Sequence, residues 1–106
     1  MQATLIVYTT LPDEPSAHRL AGVLVHERLA ACVNVQARMT SFYLWQGEET
    51  RETEHLLMIK TTEACYPALE QRIRAEHPYE LPEIVATPIT RGLEPYLCWI
   101  DENTQC

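Results

Sequence analysis

The stretch "AACVNVQARMTSFYLW", residues 30–45, decides how the chain folds. It opens as an alternating strand, with Val33, Val35 and Ala37 on one face and Asn34, Gln36 and Arg38 on the other. Past Met39 both faces turn apolar or aromatic, through Phe42, Tyr43, Leu44 and Trp45. "QGEETRE" (46–52) interrupts with a glycine and charges, and "HLLMIKT" (55–61) reads as a buried strand, so the two runs predict a hairpin. A strand from Ala31 to Trp45 runs roughly 50 Å at about 3.3 Å per residue, where about 5 to 6 residues is usual. A chain of 106 residues is too small to cover that length. The outer half must therefore project, and its aromatic cluster needs cover from another chain.

Working outward, "ATLIVYT" (3–9) is a near-continuous apolar, β-branched run, the mark of a strand at the centre of a sheet. "LPDEPS" breaks it, with Asp13 suited to cap a helix and Pro15 to its first turn. Ala17, Leu20, Ala21, Leu24 and Val25 then recur at helical spacing, which predicts an amphipathic helix over 14–29. His18 and His26 fall on its opposite face, about 12 Å apart along the axis and too far to share a metal. A second helix has Pro67 in its first turn and Tyr66, Leu69 and Ile73 on one face. It ends at His77, because Pro78 disfavours helical dihedrals in the residue before it. "EIVATPI" (83–89) gives a fourth strand and "LEPYLCWI" (93–100) a closing helix. The order β-α-β, β-α-β, α predicts an α+β chain, 1–106 as one domain. Its expected form is a ferredoxin-like sandwich with a long hairpin and the strands near residues 5 and 58 central.

Charge narrows the partners. With 15 acidic and 8 basic residues the net charge is −7, which repels phosphate, so neither nucleic acid nor an anionic membrane is expected. No apolar run reaches the roughly 20 residues of a membrane helix, and "MQATLIVYTT" lacks a secretory n-region, so the expected location is the cytoplasm. No C-x-x-C pair occurs among Cys32, Cys65, Cys98 and Cys106. Cys32 and Cys98 read as small buried hydrophobes and Cys65 as a packed residue near a helix start. Cys106 reads as an exposed, reactive terminal thiol. Without a nucleophile elbow, a metal-protease pattern or a P-loop, no catalysis and no organic cofactor are expected.

"EHPYELPEIV" (76–85) admits two readings. His77 sits among Glu76, Glu80 and Glu83, which suits a metal. Equally, Pro78 stops a helix and Pro82 launches a strand, with His77 as a cation at the helix C-terminus. The blocks "ERLAACVNV" (27–35), "TSFYLWQGE" (40–48), "LLMIKT" (56–61), "HPYELPEIVATPI" (77–89) and "YLCWI" (96–100) resemble the CutA divalent-cation tolerance family. That resemblance implies a homotrimer with hairpins crossing between subunits, so Phe42, Tyr43, Leu44 and Trp45 are its expected contacts. It also implies binding of divalent cations, Cu2+ above all. The copper ligands it implies are a cysteine before a Thr-x-Pro-Asp turn and two histidines before Pro-Tyr. Here Thr9 holds the cysteine's place and Glu76 that of the first histidine, leaving Glu76 and His77 as candidate metal residues. Two other functions accompany the resemblance: a PII-like trimeric signalling or small-ligand module, and a protein-interaction scaffold. A nucleotide cleft would want a glycine-rich loop or clustered basic residues, and the chain has three glycines and scattered basic residues.

Overall fold

Seven elements follow one another in the computed structural model, which describes residues 3–106. They are β1 (Thr4–Leu11), α1 (Glu14–His26), β2 (Cys32–Trp45), β3 (Glu48–Thr62), α2 (Tyr66–Glu76), β4 (Val85–Pro88) and α3 (Glu94–Glu102). The strands form one antiparallel sheet in the order β2-β3-β1-β4, so the two most apolar strands are central, as their composition predicts. Alternation then sorts side chains between two faces. Val7, Leu11, Leu57 and Ile59 point to the face covered by α1 and α2, where Leu20, Leu24, Leu69 and Ile73 complete the core. The opposite face is covered at one end by α3, whose Ile100 is fully buried and whose Tyr96 lies beside Cys32. Ile6, Tyr8, Leu56 and Met58 on that face are only half-buried.

Asp13 caps α1 as expected, its carboxylate accepting the Ser16 N–H at 2.8 Å. The helix stops at His26, three residues short of the sequence reading, and Val25 from its apolar stripe is exposed. The cause is a left-handed residue, Arg28 (φ 61). Its N–H donates to Val25 O and the next N–H, of Leu29, donates to Leu24 O, the bonds of a Schellman closure. Glycine is usual at that position. Here the arginine side chain reaches across to donate to Glu102 O, and Arg28 O accepts from Gln105 N–H, which ties the chain's end to the turn.

β3 corrects the sequence reading in a second place. Residues 48–52 are not an interruption: the strand begins at Glu48, and only Gln46 and Gly47 turn the chain. Both have positive φ (53 and 82), the requirement of a tight two-residue hairpin. Beyond the last β1 partner, Leu11↔His55, seven β2–β3 pairs from Met39↔Glu54 to Trp45↔Glu48 continue as a bare ribbon. A bulge between Gln36 and Met39, with Arg38 at φ 58, marks the start of this arm. The molecule is accordingly elongated, 45 × 25 × 22 Å.

The cysteines bring a further correction. Cys65 and Cys106 form a disulfide, with Cα atoms 5.2 Å apart across a sequence separation of 41, so Cys106 is not a free thiol. Cys32 and Cys98 are free and half-buried rather than fully enclosed.

The two exposed glycines of α1 and the hairpin separate backbone strain from space. A Cβ meets nothing within 4 Å at either Gly22 or Gly47, but Gly47 alone has positive φ. Gly47→Val is expected to cost about 1–2 kcal/mol through left-handed strain. Gly22→Ala is expected to add about 0.5–1 kcal/mol by stiffening the unfolded chain. Urea midpoints moving in the same direction for both would refute this account.

Candidate functional site

His77 is the hinge between α2 and the segment that leads to β4. Pro78 forces it into extended backbone (φ −74, ψ 135), and its own N–H still closes α2 on Ile73 O at 2.8 Å. The ring turns inward and is buried. Carbonyls of even-numbered β1 residues face β4, as Thr4 O shows by accepting Ile89 N–H, but β4 pairing ends at Tyr8↔Val85. Thr10 O therefore lacks a strand partner, and His77 Nε2–H supplies the hydrogen bond at 2.7 Å. Nδ1 accepts the Tyr79 N–H at 3.1 Å, which fixes the neutral tautomer. Burial pushes the imidazole pKa below its usual value, against smaller raising effects of the Thr10 carbonyl and the Glu54 charge. His77 is thus a neutral strand substitute and not the helix-end cation read from sequence.

The residues implied as copper ligands do not assemble. Thr9 is fully buried, its hydroxyl without a partner among the described residues, and both His77 nitrogens are engaged. Glu76 is exposed, with its carboxylate 3.4 Å from Arg72, which also pairs with Glu27 at 2.9 Å. Among the described residues no three His, Cys, Asp or Glu side chains converge closely enough to hold a metal ion. This corner does not fit copper, which favours imidazole and thiolate donors that are free to bind.

Next to it lies a cleft of about 550 Å³ between the arm and residues 78–83. The segment after Pro78 forms one wall, with Tyr79, Glu80 and Glu83, and the arm the other, with Tyr43, Trp45, Glu52 and Glu54. Tyr79 joins the walls: its hydroxyl donates to Glu54 Oε2 at 2.8 Å. Burial and the Glu54 carboxylate together push the Tyr79 phenol well above its usual pKa, so it stays a donor. Glu54 is 7% exposed and has no cationic partner within 4 Å among the described residues. Among the described residues, no lysine, arginine or histidine lines the cleft.

Strand alternation sorts the four aromatic and aliphatic arm residues that the sequence grouped together. Tyr43 and Trp45 point into the cleft, while Phe42 (68% exposed) and Leu44 (72% exposed) point away from it. Sequence reasoning missed Glu52, Glu54 and Tyr79 as site residues. The signal available was period two: Thr50, Glu52 and Glu54 alternate along β3, and Arg51 and Thr53 between them belong to the other face.

A sequence model described as CutA1 divalent ion tolerance protein matches residues 5–103. The chain belongs to the CutA1 divalent ion tolerance family. A divalent-cation tolerance protein CutA of Thermus thermophilus is 50% identical over 99 residues, 93% of this chain and 96% of that one. Among solved structures, the Cut A1 protein of the same organism superposes with a TM-score of 0.94 at 49% identity, over 96% of this chain and 99% of the other. Rice CutA1 gives 0.96 at 39% identity, over 98% and 95%. An Archaeoglobus fulgidus CutA, described as periplasmic, gives 0.93 at 36% identity, over 96% and 99%. These CutA1 neighbours share the ferredoxin-like sandwich predicted from the element order. The chain spans 58% of the length of the rice chloroplastic relative CutA 1.

The neutral His77 makes a pH prediction. Its native pKa lies below the ordinary value of about 6.5, so as pH falls the unfolded chain takes up the proton first. Its contribution to stability is complete above about pH 6.5 and is lost as pH falls through the lower native pKa. Urea midpoints between pH 7.5 and 5 are expected to fall more steeply for the wild type than for His77→Gln. Parallel slopes would mean that the imidazole is not held neutral.

Proposed function

We propose that this CutA1 family member is a homotrimer that binds hydrated divalent cations in the cleft, each through one or two carboxylates with water completing its shell, acting by binding rather than by catalysis. The observation that carries the reading is the cleft's lining of four glutamates without one basic side chain. Carboxylate and hydroxyl oxygens suit hard divalent ions, and Cu2+ is expected to bind there less tightly than to free imidazole or thiolate. Trimer formation is supported by the arm, because a two-stranded ribbon is marginal in water by itself. It is supported as well by the half-buried sheet face and by exposed Phe42, Leu44 and Val85. A PII-like small-ligand role has the cleft volume in its favour, although nothing in the lining is built to hold phosphate.

Leu44 points away from the cleft, so it tests assembly alone. Leu44→Glu is expected to weaken association by roughly 3–5 kcal/mol if the contact buries the charge without a partner. Sedimentation equilibrium finding a wild-type monomer, or an unchanged trimer in the variant, would contradict the proposed interface. For the cation, equilibrium dialysis with Mn2+ and with Cu2+ is expected to show binding that Glu83→Gln and Glu52→Gln reduce and His77→Gln leaves unaltered. Loss with His77→Gln alone would move the site to the α2 corner.

A further inference from the structure

We infer that the Cys65–Cys106 pair is a thiol–disulfide exchange site for low-molecular-weight thiols, with Cys106 as the exchanging sulfur and Cys65 as the resolving one. The inference is independent of the cation reading, because it concerns the end of the sheet opposite the arm.

Position is the first observation. β3 runs from the hairpin tip at Glu48 to Thr62, which pairs with Thr4, so Cys65 follows at the far end from the arm. It immediately precedes α2, which packs with α1 on the core face and not on the half-buried face of the sheet. The second observation is an asymmetry of access. Cys65 is 1% exposed, whereas Cys106 is exposed. A thiolate arriving from solvent therefore reaches the Cys106 sulfur and is screened from Cys65.

The third observation is how little else depends on the bond. Neither cysteine belongs to the cluster of Val7, Leu20, Leu24, Leu57, Ile59 and Ile73 that forms the core. α3 is held by fully buried Ile100 and by the Arg28 bond to Glu102 O. Opening the disulfide thus frees the Cys106 side chain without unpacking a helix. The fourth is what keeps the two cysteines together once the bond is open. Gln105 N–H donates to Arg28 O at 2.8 Å, and the Thr104 hydroxyl donates to Ile100 O at 3.2 Å. Neither bond involves sulfur, so Cys106 stays beside Cys65, whose Cα is 5.2 Å away in the closed form. Closure is then intramolecular and favoured by a high effective concentration.

The exchange balances with the small thiol as its only co-reactant. The incoming thiolate bonds to Cys106 Sγ, the Cys65–Cys106 bond breaks, and its electron pair leaves on Cys65. That thiolate is released at the N-terminus of α2, where the helix dipole favours negative charge. A second thiolate then attacks the mixed disulfide, releasing the small thiol as its own disulfide and Cys106 as a thiolate. Two small thiols are oxidised, one protein disulfide is reduced, and their two protons pass to the cysteines. In the oxidising direction Cys106 takes up half of a small-molecule disulfide, and Cys65 expels it as the ring closes.

The test is quenched alkylation followed by peptide mass mapping of the full-length protein in its native assembly. The probes are reduced glutathione, uncharged 2-mercaptoethanol and oxidised glutathione. Digests of the oxidised protein are expected to contain the Cys65–Cys106 peptide pair. After either thiol is added, early quenches are expected to place the adduct on Cys106 and the alkylating label on Cys65. With oxidised glutathione the reduced wild type is expected to close again, whereas Cys65→Ser keeps one stable adduct on Cys106. Cys65 in Cys106→Ser is expected to react at least about tenfold more slowly, since burial shields it. Far-UV circular dichroism and sedimentation are expected to be the same for oxidised and reduced protein. An adduct appearing first on Cys65, equal rates in the two variants, or absence of the Cys65–Cys106 peptide pair would overturn the inference. So would opening that requires urea, or loss of structure on reduction, since either makes the bond purely structural. Should Cys65→Ser fail to fold, the early quenches of the wild type decide the matter without a substitution.

Discussion

Everything distinctive about this molecule depends on the ladder between β2 and β3. Its register is fixed at the tip by Gln46 and Gly47, whose positive φ angles permit only a two-residue turn. That register decides which side chains face the cleft and which face away, because a slip of one residue would exchange the two sets. It aims Tyr43, Trp45, Glu52 and Glu54 at residues 78–83 and turns Phe42 and Leu44 outward. The bulge at Gln36–Met39 then sets the phase of the arm separately from that of the sheet it leaves. One strand pair thus serves two surfaces: a polar, aromatic cleft on one side and an apolar flank on the other.

The α2–β4 connection follows from a deficiency of the sheet. β4 pairs only as far as Val85, so the far end of β1 offers a carbonyl with no neighbouring strand. His77 fills that gap, and the same ring anchors Tyr79 N–H, which in turn places the phenol against Glu54. A chain of three hydrogen bonds therefore links the edge of the core to the cleft wall. Its members are mostly buried, where unmade bonds are costly, so the segment is held by more than its prolines. This explains why a histidine that looks like a ligand in the sequence is occupied in the structure. It also explains why the cleft beside it keeps carboxylates and no imidazole.

The fold was legible because its signals are local. Apolar runs at 3–9 and 55–61, the Asp13 cap, the Pro67 start and the Pro78 stop are all set by backbone and side-chain chemistry within a few residues. The length of residues 31–45 went further, since it exposed a projecting hairpin by comparison with chain size alone. Helix ends were harder. Arg28 adopts a left-handed turn with no glycine to announce it, and its reward, the bond to Glu102 O, comes from a residue 74 positions away. The Cys65–Cys106 pair was hidden for the same reason, since no spacing rule joins residues 41 apart.

The sequence by itself determined the element order, the antiparallel sandwich, the family and the acidic character, because periodicity, turn chemistry and charge need no knowledge of what lies nearby in space. It could name His77, Glu76 and Thr9 but not say where their polar atoms point. Tertiary structure decided that: ring orientation, the partners of Glu54 and the split of the arm into two faces all depend on register between distant strands. A functional site is a set of directions as well as a set of residues, and directions are fixed only when the strands have paired.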